Sequence, residues 1–182
     1  PDVRKLSFTG STEVGRVLLH EAADSVVSTS MELGGNAPFL VLPGADIQLA
    51  IEGALVAKMR NGGSACTSAN RFYVHSSVHD EFVAGMTAEL ARVATGPGLD
   101  RGNTLGAMVS IDERDKVADL VDTAVAEGAT VTLGGRKSDI GAFYPATMVT
   151  GVHHGDSINR TEIFGPVTAV VKVDDVDEMV RM

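Results

Sequence analysis

The chain has 182 residues, of which 44% are hydrophobic and 21% charged, and this composition is typical of a globular protein with a substantial core. Its formal net charge of −9 argues against nucleic acids and anionic membranes as partners, since both bind basic surfaces. One cysteine excludes an internal disulfide, and no secretion signal or membrane-length apolar run is visible, so we expect a cytoplasmic protein.

The N-terminal segment predicts a strand, a turn and a helix. Residues 5–8 form the strand, and Ser11 is a good N-cap for a helix whose apolar residues recur at helical spacing. A Gly10-Ser11 turn of this kind can aim backbone amides and the positive end of the helix dipole at a phosphate. Most such turns only cap their helix, and that alternative stays open.

A second strand is expected over residues 26–31, followed by a turn that contains Glu32, Gly34 and Gly35. A carboxylate pressed against a Gly-Gly turn can be partly desolvated, and its pKa would then rise towards that of a general base. The alternative is an ordinary strand-end charge in water.

The rest of the chain alternates strands with helices. Further strands are predicted over residues 38–42, 72–74, 130–133, 145–152 and 167–173. Helices are predicted over residues 46–59, 78–94, 111–127 and from about 174 onward. We expect the first of these helices to be largely buried, the second to be capped by Ser76 or Ser77, and the third to pack Val125 inward. This order predicts an α/β fold with a largely parallel sheet flanked by helices.

The most informative stretch is the loop at residues 61–71, which contains Cys66. Gly62 and Gly63 precede the thiol, and small polar residues surround it, as in loops where the backbone approaches a ligand. The loop favours a catalytic nucleophile, with an inert buried thiol as the alternative. The histidines have no partner at metal-ligand spacing, so no metal is expected.

Taken together, four segments resemble motifs of the aldehyde dehydrogenase superfamily, in the right order and spacing. They are residues 8–15, 32–35, 61–71 and 162–166. The resemblance runs from about Arg4 to Met182. It is closest to the succinate-semialdehyde dehydrogenase branch, on residues 32–39 and the Arg60-Asn61 pair before the thiol loop.

The resemblance implies an aldehyde-dehydrogenase-like catalytic domain over residues 34–182. Residues 1–33 would be the last strand-helix-strand of a Rossmann-like domain that binds NAD or NADP. The substrate would be a small aldehyde, with succinate semialdehyde as the first choice. The full-length protein would be a homo-oligomer.

The same resemblance implies a role for each candidate residue. Cys66 would attack the aldehyde carbon, and Glu32 would activate the water that hydrolyses the resulting thioester. Arg60 would bind the distal carboxylate of the substrate through its guanidinium fork, with an interaction with the helix dipole as the alternative. The cofactor would contact the residues Gly10, Ser11, Leu33, Glu162 and Phe164.

The sequence also departs from the family pattern. Gly63-Ser64 stands where the family usually has Gly-Gln, and Ser68 stands where the semialdehyde branch often has a second cysteine. The oxyanion-hole asparagine and the phosphate-binding lysine of the family would precede Pro1. We therefore expect the isolated chain to be inactive as a dehydrogenase and to retain at most slow esterase-like acylation.

Two other functions remain open from the sequence. A non-catalytic α/β module that only packs or binds a partner would not be expected to keep Cys66, Glu32 and Glu162 together. A CoA-acylating semialdehyde dehydrogenase typically lacks the general-base glutamate, so Glu32 favours hydrolysis to the free acid.

Overall fold

The computed structural model describes residues 2–182, which divide into two compact units, one up to Gly35 and the other from Asn36 to Met182. The predicted domain boundary between residues 33 and 34 lies two residues before this division. The assignment of the first unit to a cofactor domain stays a prediction.

The first unit is a strand-helix-strand motif. Strand β1 (Lys5–Gly10) and strand β2 (Ser28–Leu33) pair in parallel, and helix α1 (Thr12–Asp24) connects them. Ser11 is the N-cap of α1, as predicted, and its Oγ accepts a hydrogen bond from Val14 N at 3.3 Å. The predicted turn at Glu32 starts too early, because pairing with β1 continues β2 as far as Leu33.

The second unit is built on a five-stranded sheet. Residues 37–173 form its strands, in the order β3-β4-β7-β6-β5. These strands are β3 (Ala37–Val41), β4 (Ala69–His75), β5 (Thr130–Leu133), β6 (Thr147–Thr150) and β7 (Val167–Val173). All neighbouring pairs are parallel except β5 with β6, which is antiparallel. The predicted α/β fold with a largely parallel sheet is confirmed.

Helices cover both faces of this sheet. Alternate strand residues point to opposite sides, and both sides are apolar and need to be buried. The helices are α2 (Ile47–Met59), α3 (Ser76–Leu90), α4 (Ile111–Ala126), α5 (Ser157–Arg160) and α6 (Val176–Arg181). Phe72 and Val74 of β4 join the core beneath α2 and α3. Tyr73 of the same strand joins the core beneath α4, α5 and α6.

Two helices differ from their predictions. Helix α3 begins at Ser76 with His75 as its cap, whose Nδ1 accepts from Ser77 N at 3.2 Å, and it ends four residues before the predicted limit. It ends early because Ala94 and Gly96 hydrogen-bond to the segment at Leu105 instead of continuing the helix.

Helix α2 starts after its predicted cap, Asp46, but it is not largely buried. Its Leu49 and Val56 side chains are 66% and 68% exposed, because only one stripe of the helix faces the sheet. Val125 of α4 is likewise exposed and not packed inward.

Candidate active site

In the first unit, the candidate cofactor residues lie at the carboxyl end of the parallel strand pair. Gly10 ends β1, Leu33 ends β2, and the two are register partners in the ladder. Ser11 follows directly as the cap of α1. The backbone of this turn is closely packed, since a Cβ on Gly10 would strike the Phe8 ring. This arrangement brings together the three residues that the sequence singled out there.

Glu32 lies opposite Thr9 in the same ladder, one residue before the end of β2. Its side chain is exposed, which agrees with the alternative of an ordinary strand-end charge in water and not with partial desolvation of the carboxylate. The physical reason is the strand alternation: exposed and half-buried residues alternate along β2, and Glu32 falls on the exposed face.

In the second unit, Cys66 lies in a turn between a short 3-10 helix (Arg60–Gly63) and β4. Asn61, Gly62 and Gly63 all have left-handed backbone conformations, with φ of 53°, 62° and 75°. Glycine adopts these angles without strain, which explains why the sequence places glycines before the thiol. Cys66 is exposed, so the alternative of a buried structural thiol is wrong.

Hydrogen bonds hold the turn that carries Cys66. Ser68 N donates to Ala65 O at 2.9 Å and closes the turn around the cysteine. Ser68 Oγ donates to Ala57 O at 3.2 Å, which ties the turn back to α2. Asn61 Nδ2 donates to Ser64 O at 2.8 Å on the other side. The thiol therefore projects from a turn that is anchored before and after it.

Arg60 lies beside this turn. Its Nη2 is 3.5 Å from Thr67 Oγ1, and its side chain lines a cleft of about 200 Å³. The lining residues are Val56, Ala57, Arg60, Ala65, Thr67 and Ser68. Ala65 and Thr67, which stand on either side of Cys66, thus line the same cleft as the Arg60 guanidinium. Arg60 also follows the last residue of α2, so its position near the negative end of the helix dipole is compatible with the alternative role.

Glu162 and Phe164 lie in the loop that leads into β7, as predicted. With residues of α4, they line a cleft of about 360 Å³ that also contains Lys116, Leu120 and Thr123. Phe164 is 36% exposed, so an aromatic surface and a carboxylate both face this cleft.

The Cys66 loop and the Glu162 loop come together because of the sheet order. They precede β4 and β7, which are parallel neighbours paired from Arg71↔Ala169 to His75↔Val173. Their starting ends therefore share one edge of the sheet. Gly63 reaches so close to the Gly165 carbonyl oxygen that a Cβ there would clash with it. Ser64 Oγ is 3.4 Å from Phe164 O.

Lys58 is a further candidate that no motif in the sequence marked out. Its side chain is 0% exposed, and Nζ donates to Asn70 Oδ1 at 2.9 Å and to Ile163 O at 3.0 Å. Burial lowers the pKa of Lys58 to about 7, and the carboxylate of Glu162 partly opposes that shift. The signal was the helical spacing: Lys58 continues the buried stripe of Ile51 and Ala54.

The described residues contain no group of three or more His, Cys, Asp or Glu side chains that could hold a metal ion. Among the helices at residues 2–182, none is long and apolar enough to cross a membrane.

The chain is thus an α/β protein with a candidate nucleophilic site. Cys66 is exposed on an anchored turn, the cleft beside it contains Arg60, and Glu162 lies in the neighbouring loop. The model of the aldehyde dehydrogenase family matches residues 1–182, and the chain belongs to that family.

Three similar proteins illustrate the match. A probable NADP+-dependent succinate-semialdehyde dehydrogenase of Sinorhizobium fredii is 42% identical over 100% of this chain and 37% of its own length. A glutarate-semialdehyde dehydrogenase of Pseudomonas aeruginosa is also 42% identical, over 100% of this chain and 38% of its own length. The crystal structure of succinate-semialdehyde dehydrogenase from Burkholderia pseudomallei superposes with a TM-score of 0.95 at 39% identity, covering 98% of this chain and 37% of that one. The chain thus spans less than two fifths of each relative.

Proposed function

We propose that the protein carrying this chain oxidises succinate semialdehyde to the dicarboxylic acid with NAD+ or NADP+, and that Cys66 is its nucleophile. The observation that carries this proposal is the cleft beside Cys66. Residues on either side of the thiol line it together with Arg60, so an aldehyde at the thiol can extend towards a guanidinium. A distal carboxylate is the substrate group that a guanidinium binds best.

The chemistry starts at the sulfur of Cys66. The thiolate adds to the aldehyde carbon, and the carbonyl oxygen becomes the oxyanion of a thiohemiacetal, which the backbone N–H of Cys66 can stabilise. A bound NAD+ or NADP+ would supply the two-electron acceptor for the hydride of that carbon, which would leave Cys66 carrying a thioester. Glu32 takes a proton from water, whose oxygen attacks the thioester carbon and releases the acid and the Cys66 thiolate.

The chain has residues that fit a dinucleotide. At the first unit's strand ends, Gly10 and Ser11 offer a tight backbone and the positive end of α1. The Leu33 carbonyl can accept a hydrogen bond from a carboxamide. In the second unit, Glu162 supplies a carboxylate for ribose hydroxyls, and Phe164 supplies a partly exposed ring beside it. These residues would hold the cofactor.

Glutarate semialdehyde is a second candidate substrate. Its support is the Pseudomonas aeruginosa relative, which is as similar to this chain as the succinate-semialdehyde relative is. The two substrates differ by one methylene, and such a difference changes kcat/KM by about 10- to 200-fold in a fitted pocket. A comparison of kcat/KM for the two semialdehydes decides between them.

The protein would act in the cytoplasm as a homo-oligomer, consistent with its exposed, unpaired thiol and with the family resemblance. Cell fractionation tests the location, and light scattering of the purified protein tests the assembly. A secreted or monomeric active protein would contradict these two statements.

The test of the proposed function is NAD(P)H formation by the protein expressed from its complete gene. Cys66→Ser should lower kcat/KM for succinate semialdehyde by several orders of magnitude, because the alcohol is a far weaker nucleophile. Glu32→Gln should lower kcat, whereas Glu21→Gln, which removes an exposed charge from α1, should not. A Cys66→Ser protein that keeps its activity would refute the proposal.

A further inference from the structure

Lys58 is a buried lysine with no part in the chemistry described above, and it connects α2 and β4 to the Glu162 loop. It lies on α2, eight residues before Cys66, and its Nζ hydrogen-bonds the backbone carbonyl of Ile163 at 3.0 Å. Ile163 stands between Glu162 and Phe164, the two residues of the second unit proposed to contact the cofactor. Lys58 therefore holds the backbone carbonyl of the one residue that stands between the two contact residues.

Two neighbouring contacts extend this connection. Ser64 Oγ lies 3.4 Å from the carbonyl oxygen of Phe164, and Gly63 packs directly on the carbonyl of Gly165. Three residues at and before the Cys66 turn thus meet three consecutive carbonyls of the Glu162 loop. Gly63 has a φ of 75° and no room for a side chain, so this contact depends on glycine.

The polar amine of Lys58 is costly to bury, which argues that the contact has a purpose beyond filling space. Its side chain is fully buried, and a methionine of similar length would fill the same volume without removing an amine from water. The second hydrogen bond, to Asn70 Oδ1 at 2.9 Å, fixes the amine against β4. The lysine is thereby aimed at Ile163 from a rigid strand and helix.

We infer that Lys58 is a positioning residue that sets the Glu162 loop against the Cys66 turn, so that Glu162 and Phe164 are held ready for the cofactor. This inference rests on the proposed function. Lys58 touches neither substrate nor cofactor, and it acts through the Ile163 carbonyl. The Cys66 turn has its own anchors at Ser68 and Asn61, so it does not depend on Lys58.

The inference is tested with Lys58→Met in the protein expressed from its complete gene. We expect the dissociation constant and the KM for NADP+ to rise about tenfold, because small displacements of positioning groups have effects of this size. The KM for succinate semialdehyde and the rate of Cys66 labelling by iodoacetamide should stay within about twofold of wild type. Met86→Val, a change in the core beneath α3, is the control for general loosening of the fold.

Ser64→Ala is the second variant, chosen because its hydroxyl is partly exposed and contacts the Glu162 loop through Phe164 O. Loss of its contact to Phe164 O should weaken NADP+ binding about threefold, the effect of one modest hydrogen bond. The inference is overturned if Lys58→Met binds NADP+ as Met86→Val does. If Lys58→Met does not fold, unchanged NADP+ binding by Ser64→Ala overturns it.

Failure of the proposed function looks different from failure of this inference. A wild-type protein that binds NADP+ but oxidises no semialdehyde would refute the function. The comparison of dissociation constants would still decide whether Lys58 positions the Glu162 loop.

Discussion

At the scale of single residues, the site depends on a few side chains held by their neighbours. Cys66 is the candidate nucleophile because it is exposed and because its turn is closed by a hydrogen bond from Ser68 N to Ala65 O at 2.9 Å. Arg60 is the candidate substrate-binding residue because it lines a cleft together with residues of that turn. Under the proposed function, a nucleophile and a guanidinium on one short segment would orient a substrate that has an aldehyde at one end and a carboxylate at the other.

Replacing Arg60 tests this orientation. Arg60→Met should raise the KM for succinate semialdehyde about 10- to 100-fold, because a charge-assisted, bidentate contact to the carboxylate is lost. The KM for butanal, an uncharged aldehyde of the same chain length, should not change. Steady-state kinetics with both aldehydes measure the difference.

Arg92→Met is the matched control, since it removes an exposed arginine that pairs with Glu89 at the end of α3. Equal changes in the KM for both aldehydes would assign Arg60 to the helix dipole and not to the substrate.

The sequence alone could identify some of these residues and not others. Cys66 stood out because its neighbours are small, polar or glycine, whereas Arg60 was indicated only by the resemblance to the semialdehyde branch. Lys58 was missed because its partner carbonyl, on Ile163, is 105 positions away in the chain. For Glu32 the sequence left partial desolvation and a charge in water both open, since the outcome depends on which face of β2 the residue occupies.

At the scale of elements, α2 carries both an apolar stripe and the buried Lys58. The helix begins at its Asp46 cap, whose Oδ1 accepts from Leu49 N at 3.1 Å, and it ends at the 3-10 helix before the Cys66 turn. Because the Lys58 side chain of this helix is buried, the free energy of unfolding depends on pH.

The sign of this dependence follows from the lowered pKa of Lys58, about 7 in the folded protein against an ordinary value of 10.5. Below pH 7 both states carry the proton and the burial cost is present in full. Between the two pKa values the unfolded chain binds more protons than the folded protein, so the free energy of unfolding rises with pH. Above 10.5 the dependence ends.

Urea unfolding at several pH values between 7.5 and 9.5 tests this prediction for wild type and Lys58→Met. All other groups are common to both proteins and cancel in the difference. The free energy of unfolding of wild type should rise relative to that of the variant as the pH rises. A difference that stays constant over this range would contradict the lowered pKa of Lys58.

The periodicity of apolar residues predicted which helices and strands exist, but it often did not predict the residues at which they end. The strands β5 and β7 and the helix α4 are close to their predicted bounds because their apolar patterns are regular. Helix α3 ends early because the segment around Leu105 takes the hydrogen bonds of Ala94 and Gly96. No local pattern shows such a competing partner.

At the scale of the whole molecule, strand order decides which loops meet. The Cys66 and Glu162 loops are about 100 residues apart in sequence, and they share an edge only because β4 and β7 are parallel neighbours. The alternation of strands and helices predicted a parallel sheet but not its order. The resemblance to a family supplied the expectation that these loops act together, and the sheet supplies the physical reason.

If Cys66 carries the acyl group during turnover, a thioester on its sulfur can be trapped when hydrolysis is slowed. The Glu32→Gln protein, expressed from its complete gene, is mixed with succinate semialdehyde and NADP+, quenched in acid and digested, and the Cys66 peptide is analysed by mass spectrometry. Slowed hydrolysis should leave a succinyl thioester on Cys66 that hydroxylamine removes, whereas wild type should accumulate little. A Cys66 peptide that stays unmodified in Glu32→Gln, or an acyl group on another residue, would contradict the account.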